Sequence, residues 1–168
     1  YTDDESVDAA FEFALAESII SAAQLGNKRD IERQLANTLR EFESGTFATL
    51  TTNHDMPRLF STIGEDEGIN EVVINLIMTM PGFPFIYYGE EIGMGSDSTT
   101  GGGDINYRRP MQWDASEFGG FSSVTPWLGL DSNFADYTVA DQTNDPDSLL
   151  SHYRDLIHLR NNQPALQY

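Results

Sequence analysis

Residues 50–58 read Leu-Thr-Thr-Asn-His-Asp-Met-Pro-Arg. Asn53, His54, Asp55 and Arg58 place an amide, an imidazole, a carboxylate and a guanidinium within a few residues, a set able to hydrogen-bond a polar ligand. Two further carboxylates, Glu90 and Glu91, follow Tyr87-Tyr88-Gly89. One chemistry for such a set is metal binding, with His54, Asp55 and Glu90 as candidate ligands. No paired-histidine motif or calcium-loop spacing supports it. The other is recognition of a polar ligand by fixed hydrogen-bonding groups. Taken alone, Asn-His-Asp fits a polar turn that caps the next helix better; its place after a β-run, with carboxylates after the next strand, brings the two readings level. His152 and His158, on the last helical segment, read as exposed helix residues. There is no serine-nucleophile elbow, and Gly101-Gly102-Gly103 has no phosphate-loop lysine after it, so that run reads as a flexible loop.

The elements that must position these groups follow from periodicity. Phe11 to Leu15 alternates weakly and is expected to be a short strand. Glu17 to Phe42 has a helical pattern, with Ile31, Leu35, Leu39 and Phe42 as its apolar stripe and Gly26-Asn27 as its interruption. After Gly45, Thr46 to Thr51 is rich in β-branched and aromatic residues and reads as a second strand. Glu71 to Met80 is apolar on nearly every side and predicts a buried helix ended by Pro81-Gly82. Phe83 to Tyr88 predicts a third strand. A long loop then runs to about Thr143, and Asp145-Pro146 looks like a helix start. Leu149, Leu150, Tyr153, Leu156 and Ile157 give that helix its inner face. The alternation implies parallel strands with right-handed crossovers. In such sheets ligands gather at the carboxyl ends of strands, where the polar residues here collect.

Composition narrows the partners. The chain has 168 residues, with 9 Lys and Arg against 27 Asp and Glu, a formal charge of −18. That balance argues against nucleic acid or an anionic membrane surface, and no apolar run is long enough to span a bilayer. A solvated acidic surface accounts for the charge. Hydrophobic content of 39%, with 11% aromatics, is that of a globular domain. With no cysteine, disulfides, thiolate metal sites and a cysteine nucleophile are excluded, while the compartment stays open. The start, Tyr1-Thr2-Asp3-Asp4-Glu5, lacks a signal-peptide pattern and an initiator methionine, so the chain is expected to be part of something larger.

Several stretches together resemble the α-amylase clan of glycoside hydrolases. They are Thr52 to Asp55, Met80 to Met94 (MPGFPFIYYGEEIGM), Arg108 to Asp114 (RRPMQWD), Gly120 to Trp127 and Leu149 to Arg160. The resemblance runs in order from about Phe11 to Leu166. It implies an α/β fold, the C-terminal portion of a (β/α)8 TIM barrel, with Phe11–Leu15, Phe47–Thr52 and Phe83–Tyr88 as about its sixth, seventh and eighth strands. Residues 1–168 would then be the C-terminal part of the catalytic barrel. The N-terminal barrel half and the family's C-terminal β-sandwich would lie outside it, the latter beginning near Gln167-Tyr168.

What the resemblance implies for chemistry is specific. Asp55 matches the third essential carboxylate, which hydrogen-bonds adjacent ring hydroxyls of the distorted sugar. His54 matches the histidine that contacts the same sugar. Arg108 occupies the position of a sugar-site arginine in oligosaccharide-cleaving members. Asn53 and Arg58 either contact substrate or brace the turn. Trp113 and Trp127 are either sugar platforms or core packing. The nucleophile and acid/base of a retaining glycosidase, two carboxyls roughly 5 Å apart, are not found: there is no Gly-x-Arg-x-Asp, and Gly89-Glu90 belongs to the eighth-strand motif. The family's calcium ligands are missing too, so no cofactor or metal is expected in this chain, and calcium is left to the complete enzyme.

The reading is part of a retaining α-glucan hydrolase acting on starch or maltooligosaccharides, α-amylase-like. The alternative is an α-glucosidase or oligo-1,6-glucosidase, or a glucosyl-transferring relative such as a trehalose synthase. A reading of another class is a non-catalytic carbohydrate-binding or structural barrel fragment. The expected partners are a neutral α-glucan and the remainder of the catalytic barrel, without which this chain is expected to be inactive.

Overall fold

The computed structural model describes residues 8–42, 46–96 and 103–167. The sequence features at Tyr1 to Glu5, Gly45, Gly101, Gly102 and Tyr168 lie outside the described residues. The chain divides into two compact units, one of Tyr1–Thr51, Val72–Ile86 and Leu156–Tyr168, the other of Thr52–Glu71 and Tyr87–Asp155.

The first unit is built on a parallel sheet in the order β1 (Ala10–Phe11), β2 (Phe47–Leu50), β3 (Phe83–Phe85). Ala10 pairs with Phe47, and Ala48, Thr49 and Leu50 pair with Phe83, Pro84 and Phe85. Parallel pairing is what the alternating pattern predicted. Every residue of β2 is buried, as befits the central strand of such a sheet.

The strands are shorter than expected. β1 stops before Phe13 because Glu12 caps a helix: its carboxylate accepts the Leu15 N–H at 3.1 Å and Gln34 Nε2 at 3.3 Å. Helix α1 (Phe13–Leu25) therefore begins where the strand was predicted to continue. β3 does not reach Tyr88; the Tyr87 N–H bonds the Glu90 carboxylate instead of a sheet carbonyl.

The break at Gly26-Asn27 is as predicted. Gly26 ends α1 in the left-handed region at φ 63°, and Asn27 Oδ1 accepts the Arg29 N–H as α2 (Arg29–Glu41) begins. The stripe on α2 differs from the prediction: Leu39 is exposed and Thr38 is buried. At about 100° per residue, the seventh residue after Ile31 returns to its face and the eighth has rotated off it.

At the entry to β3, Arg160 collects three carbonyls, those of Met78, Met80 and Gly82, at 2.6–3.0 Å. These are the orphan acceptors at the end of α4 (Glu67–Thr79) and in the turn after it. Gly82, at φ 97°, admits no side chain, since a Cβ would lie 2.6 Å from the Phe47 ring.

The second unit has no strand among its described residues. It holds α3 (Leu59–Thr62), 3-10 turns at Glu90–Ile92 and Gly103–Arg108, and α5 (Val139–Gln142). α4 starts before the predicted Glu71, because Asp66 Oδ1 accepts the Ile69 N–H. The stretch read as one long loop is pinned by buried and half-buried polar side chains. Arg109 donates to the carbonyls of Gly129 and Leu130 and to Asn106. Gln112 donates to Tyr137 O, Asn133 to Gly93 O and Gln142 to Ile92 O. Asp145-Pro146 does not open the last helix. Asp145 Oδ1 accepts the Asp147 N–H in a tight turn, Ser148 Oγ accepts from Ser151 N, and α6 (Leu149–Asn162) starts at Leu149. On its predicted inner face Leu149, Tyr153 and Leu156 are buried, whereas Ile157 is exposed.

Candidate active site

The predicted site residues lie in segments that follow β2 and β3 in the chain. Thr52 is buried, and its hydroxyl donates to Glu90 Oε1 at 2.5 Å, while Glu90 Oε2 accepts the Tyr87 N–H at 3.3 Å. Glu90 thus ties the start of the first segment to the start of the second. Glu90 and Glu91 were read as groups that could face a ligand; the structure corrects this. Glu90 is 3% exposed and committed to those two bonds, and Glu91 Oε2 accepts the Gly89 N–H at 2.7 Å. Burial pushes the Glu91 carboxyl up from 4.5, against the pull of the backbone donors and Arg58.

Past Thr52 the chain turns. Asn53 Oδ1 accepts the Asp55 N–H at 2.8 Å, and Asn53 O accepts the Met56 N–H. This Asx turn leaves His54 and Asp55 exposed, with His54 Nε2 3.3 Å from Asp55 Oδ2. Arg108 then completes the group. Its Nη2 reaches Asp55 Oδ1 at 2.6 Å, and its Nε donates to His54 O at 2.9 Å. His54, Asp55 and Arg108 are therefore brought together at the surface, and Asn53 shapes the turn that presents them. The Asp55 carboxylate is oriented on one oxygen by Arg108 and open to solvent. Such a group can accept hydrogen bonds from neighbouring hydroxyls of a neutral ligand.

Arg58 is not in that surface group. It is fully buried against the rings of both Tyr87 and Tyr88, with its guanidinium carbon 4.7 and 4.6 Å from their centroids. Nη1 donates to Tyr88 O at 2.6 Å, and Nε and Nη2 have no hydrogen-bond partner among the described residues. Of its two sequence readings, substrate contact and brace, the brace is the one with this geometry. Aromatic faces hold the charge here, which suits a planar, weakly hydrated guanidinium.

Trp113 and Trp127 are 50% and 84% exposed, so neither is core packing. Trp127, Phe121 and Tyr88 line a cavity of about 240 Å³ together with Arg108. His158 is exposed as expected, but His152 is half-buried, and its Nε2 has no partner among the described residues. Among the described residues, no three His, Asp or Glu side chains are placed to hold a metal, and no helix is long and apolar enough to cross a membrane. Sequence reasoning missed the tyrosine pair as a structural partner of Arg58; Tyr87-Tyr88 gave no signal beyond its place before Glu90.

Comparisons with known proteins identify the family. The family described as "Alpha amylase, catalytic domain" matches residues 1–168. An oligo-1,6-glucosidase of Halalkalibacterium halodurans is 34% identical over 68% of this chain and 27% of its own. Among solved structures, the alpha-amylase from H. orenii has a TM-score of 0.74 at 33% identity, over 95% of this chain and 32% of its own. An isomaltulose synthase variant from Erwinia rhapontici NX5, solved with its natural substrate sucrose, has a TM-score of 0.78 at 29% identity, over 97% of this chain and 37% of its own. The chain thus spans roughly a third of the length of these relatives, and by the full-length family match it belongs to the alpha-amylase family of glycoside hydrolases.

Proposed function

We propose that this chain is part of the catalytic domain of an enzyme acting on α-glucosidic bonds of short α-glucosides, in the manner of an oligo-1,6-glucosidase or a glucosyl-transferring relative. In this reading the three strands are about the sixth to eighth of a (β/α)8 barrel. Asp55 is the carboxylate that grips vicinal hydroxyls of the sugar at the scissile bond. The observation that carries the reading is the surface group of Asp55, His54 and Arg108, held by the Asn53 turn and the Thr52–Glu90 bond. As an oxocarbenium-like transition state develops, ring hydroxyls become stronger donors, and a fixed carboxylate gains most at that point. Arg108 keeps the carboxylate oriented before substrate arrives, and His54 shares the hydroxyls. The exposed Trp127 and Phe121 offer faces for a further ring of a neutral ligand.

The names of the similar proteins favour short glucosides over starch, since an oligo-1,6-glucosidase and an isomaltulose synthase stand among them. The likeness to an alpha-amylase keeps α-1,4-glucans as the second reading. Whether the chain instead serves as a non-catalytic barrel fragment is decided by the same test. In the complete enzyme, Asp55→Asn is expected to lower kcat at least about 10³-fold, on the order of 4 kcal/mol of transition-state stabilisation. The melting temperature should stay within a few degrees. Assaying isomaltose beside soluble starch with the unchanged enzyme ranks the two substrate readings. A near-wild-type kcat for Asp55→Asn ends the catalytic assignment.

A further inference from the structure

Tyr87 and Tyr88 are adjacent in sequence, yet both hydroxyls reach one short segment about twenty residues further on. Tyr87 donates to the carbonyl of Tyr107 at 3.0 Å, and Tyr88 donates to the carbonyl of Arg109 at 2.6 Å. Those two carbonyls flank Arg108, the residue whose guanidinium meets Asp55 Oδ1 and His54 O. The tyrosine rings stand edge to face, 4.7 Å apart, and both carry the Arg58 guanidinium. Arg58 is three residues beyond Asp55. The contacts therefore close a circuit: Asp55 to Arg108, its flanking carbonyls to the tyrosine hydroxyls, the rings to Arg58, and Arg58 back along the chain to Asp55.

The circuit does what the ion pair alone does not. Arg108 and Asp55 are 44% and 56% exposed at their side chains, and such a pair contributes about 0–1 kcal/mol while costing side-chain freedom. It does not by itself hold a long arginine in one place. Fixing the backbone on both sides of Arg108 sets the position and direction from which its side chain leaves the chain. The Tyr87 donor is durable. Burial first, and then the neighbouring Tyr88, push the Tyr87 phenol up to about 12, so it stays protonated and donating below that pH.

We infer that Tyr87 and Tyr88 act as a paired positioning device, clamping the carbonyls on either side of Arg108 so that its guanidinium is aimed at Asp55. The inference rests on reading Asp55 as the acting carboxylate. A merely structural role, satisfying two carbonyls near the end of the Gly103–Arg108 turn, makes a different prediction: loss of stability with no dependence on Arg108.

The test is a double-mutant cycle in the complete enzyme, with isomaltose as substrate. Combining Tyr87→Phe and Tyr88→Phe keeps both rings around Arg58 and removes only the hydroxyls. This variant is expected to lose kcat/KM about tenfold with a melting temperature within a few degrees of wild type. Placed in an Arg108→Ala background, the same two changes are expected to cost less than about twofold, because their effect passes through Arg108. An undiminished tenfold loss in that background, or wild-type kcat/KM in the parent background, overturns the inference. If the double variant does not accumulate, Tyr88→Phe alone is carried through the same cycle. The crystal structure of the variant supplies a readout independent of activity. Arg108 displaced from Asp55 supports the inference, and Arg108 still on Asp55 overturns it. Should Asp55→Asn retain wild-type kcat, the catalytic reading fails, and the crystal structure still decides the positioning.

Discussion

The two units of the chain are held by different chemistry. In the sheet unit the buried set is mainly apolar: Leu15, Ile19, Phe47, Leu50, Val73, Ile74, Ile77 and Met78. In the unit that carries the site it includes Arg58, Asn70, Glu90, Asn106, Arg109, Gln112, Asp131 and Asn133. The contrast follows from where backbone groups find partners. Strands and helices pair their own N–H and C=O groups, so side chains are free to pack as hydrocarbon. Loops leave carbonyls unpaired, and when they are buried, side chains must supply the donors. Arg109 on Gly129 and Leu130, Gln112 on Tyr137 and Asn133 on Gly93 are such donors. Regular structure gives stability with little choice of geometry. Polar pinning lets irregular chain be set residue by residue, as the Arg108–Asp55 contact requires.

The comparison breaks first at Phe47. Its side chain is fully buried in β2, packs on Phe42 and closes on Gly82. Phe47→Ala removes hydrocarbon and leaves a cavity, at an expected cost of about 3–5 kcal/mol in denaturant unfolding of the complete enzyme. A loss under about 1 kcal/mol would show that apolar burial is not what holds the sheet unit.

Arg58→Met is the matching change in the other unit, with a somewhat smaller effect. It keeps an unbranched apolar stem and removes the charge over the two tyrosine rings and the bond to Tyr88 O. A desolvated cation–π contact is worth about 2 kcal/mol. Against that, the variant no longer buries two unpartnered nitrogens. The expected net loss is roughly 2 kcal/mol, with kcat lowered as well because the tyrosine rings lose the cation they pack on. A variant at least as stable as wild type would mean that the buried guanidinium is tolerated there without holding the unit together.

The same contrast explains which parts were legible in the sequence. Gly26, the apolar run in α4 and the Pro81-Gly82 stop act through neighbours in the chain, so the helix break, the helix and its end were read correctly. But α4 is buried on one face only, and Val72, read as part of a buried helix, is 48% exposed. Glu12 as a cap was missed because glutamate is not among the favoured capping types. Its role depends on the Leu15 amide and on Gln34 in the next helix. In the site, Asn53, His54 and Asp55 were visible as a polar cluster, but Arg108 is separated from Asp55 by 53 residues and entered only through the family resemblance. Arg58 could be read either as a substrate contact or as a brace because its partners, Tyr87 and Tyr88, lie about thirty residues away, and nothing in residue type indicates that a buried cation is held by ring faces. Polar pinning is long-range, and local patterns do not encode it.

Glu91 offers the finest test of the contrast, because polar groups that pin a loop unit also carry a desolvation cost. Burial is the largest influence on its carboxyl and raises its pKa above 4.5, while backbone donors and Arg58 pull the other way. Between the unfolded value and the raised folded value, the native state holds the proton that the unfolded chain has lost. Stability therefore falls as pH rises through that window and levels off above it. Glu91→Gln keeps a carbonyl oxygen for the Gly89 N–H and cannot ionise, so its stability should lack this fall. Melting temperatures of both proteins between pH 4 and 8 check the point, with wild type expected to lose ground to the variant as pH rises. Curves that run parallel, or a gap that opens toward low pH, would show that the Glu91 carboxylate is better stabilised than its burial implies. The Arg58→Met background sharpens the result. With the guanidinium gone, the backbone donors still offset burial but the smaller pull of Arg58 is lost. The folded value should therefore move a little further up, and the window over which Glu91 costs stability should widen slightly.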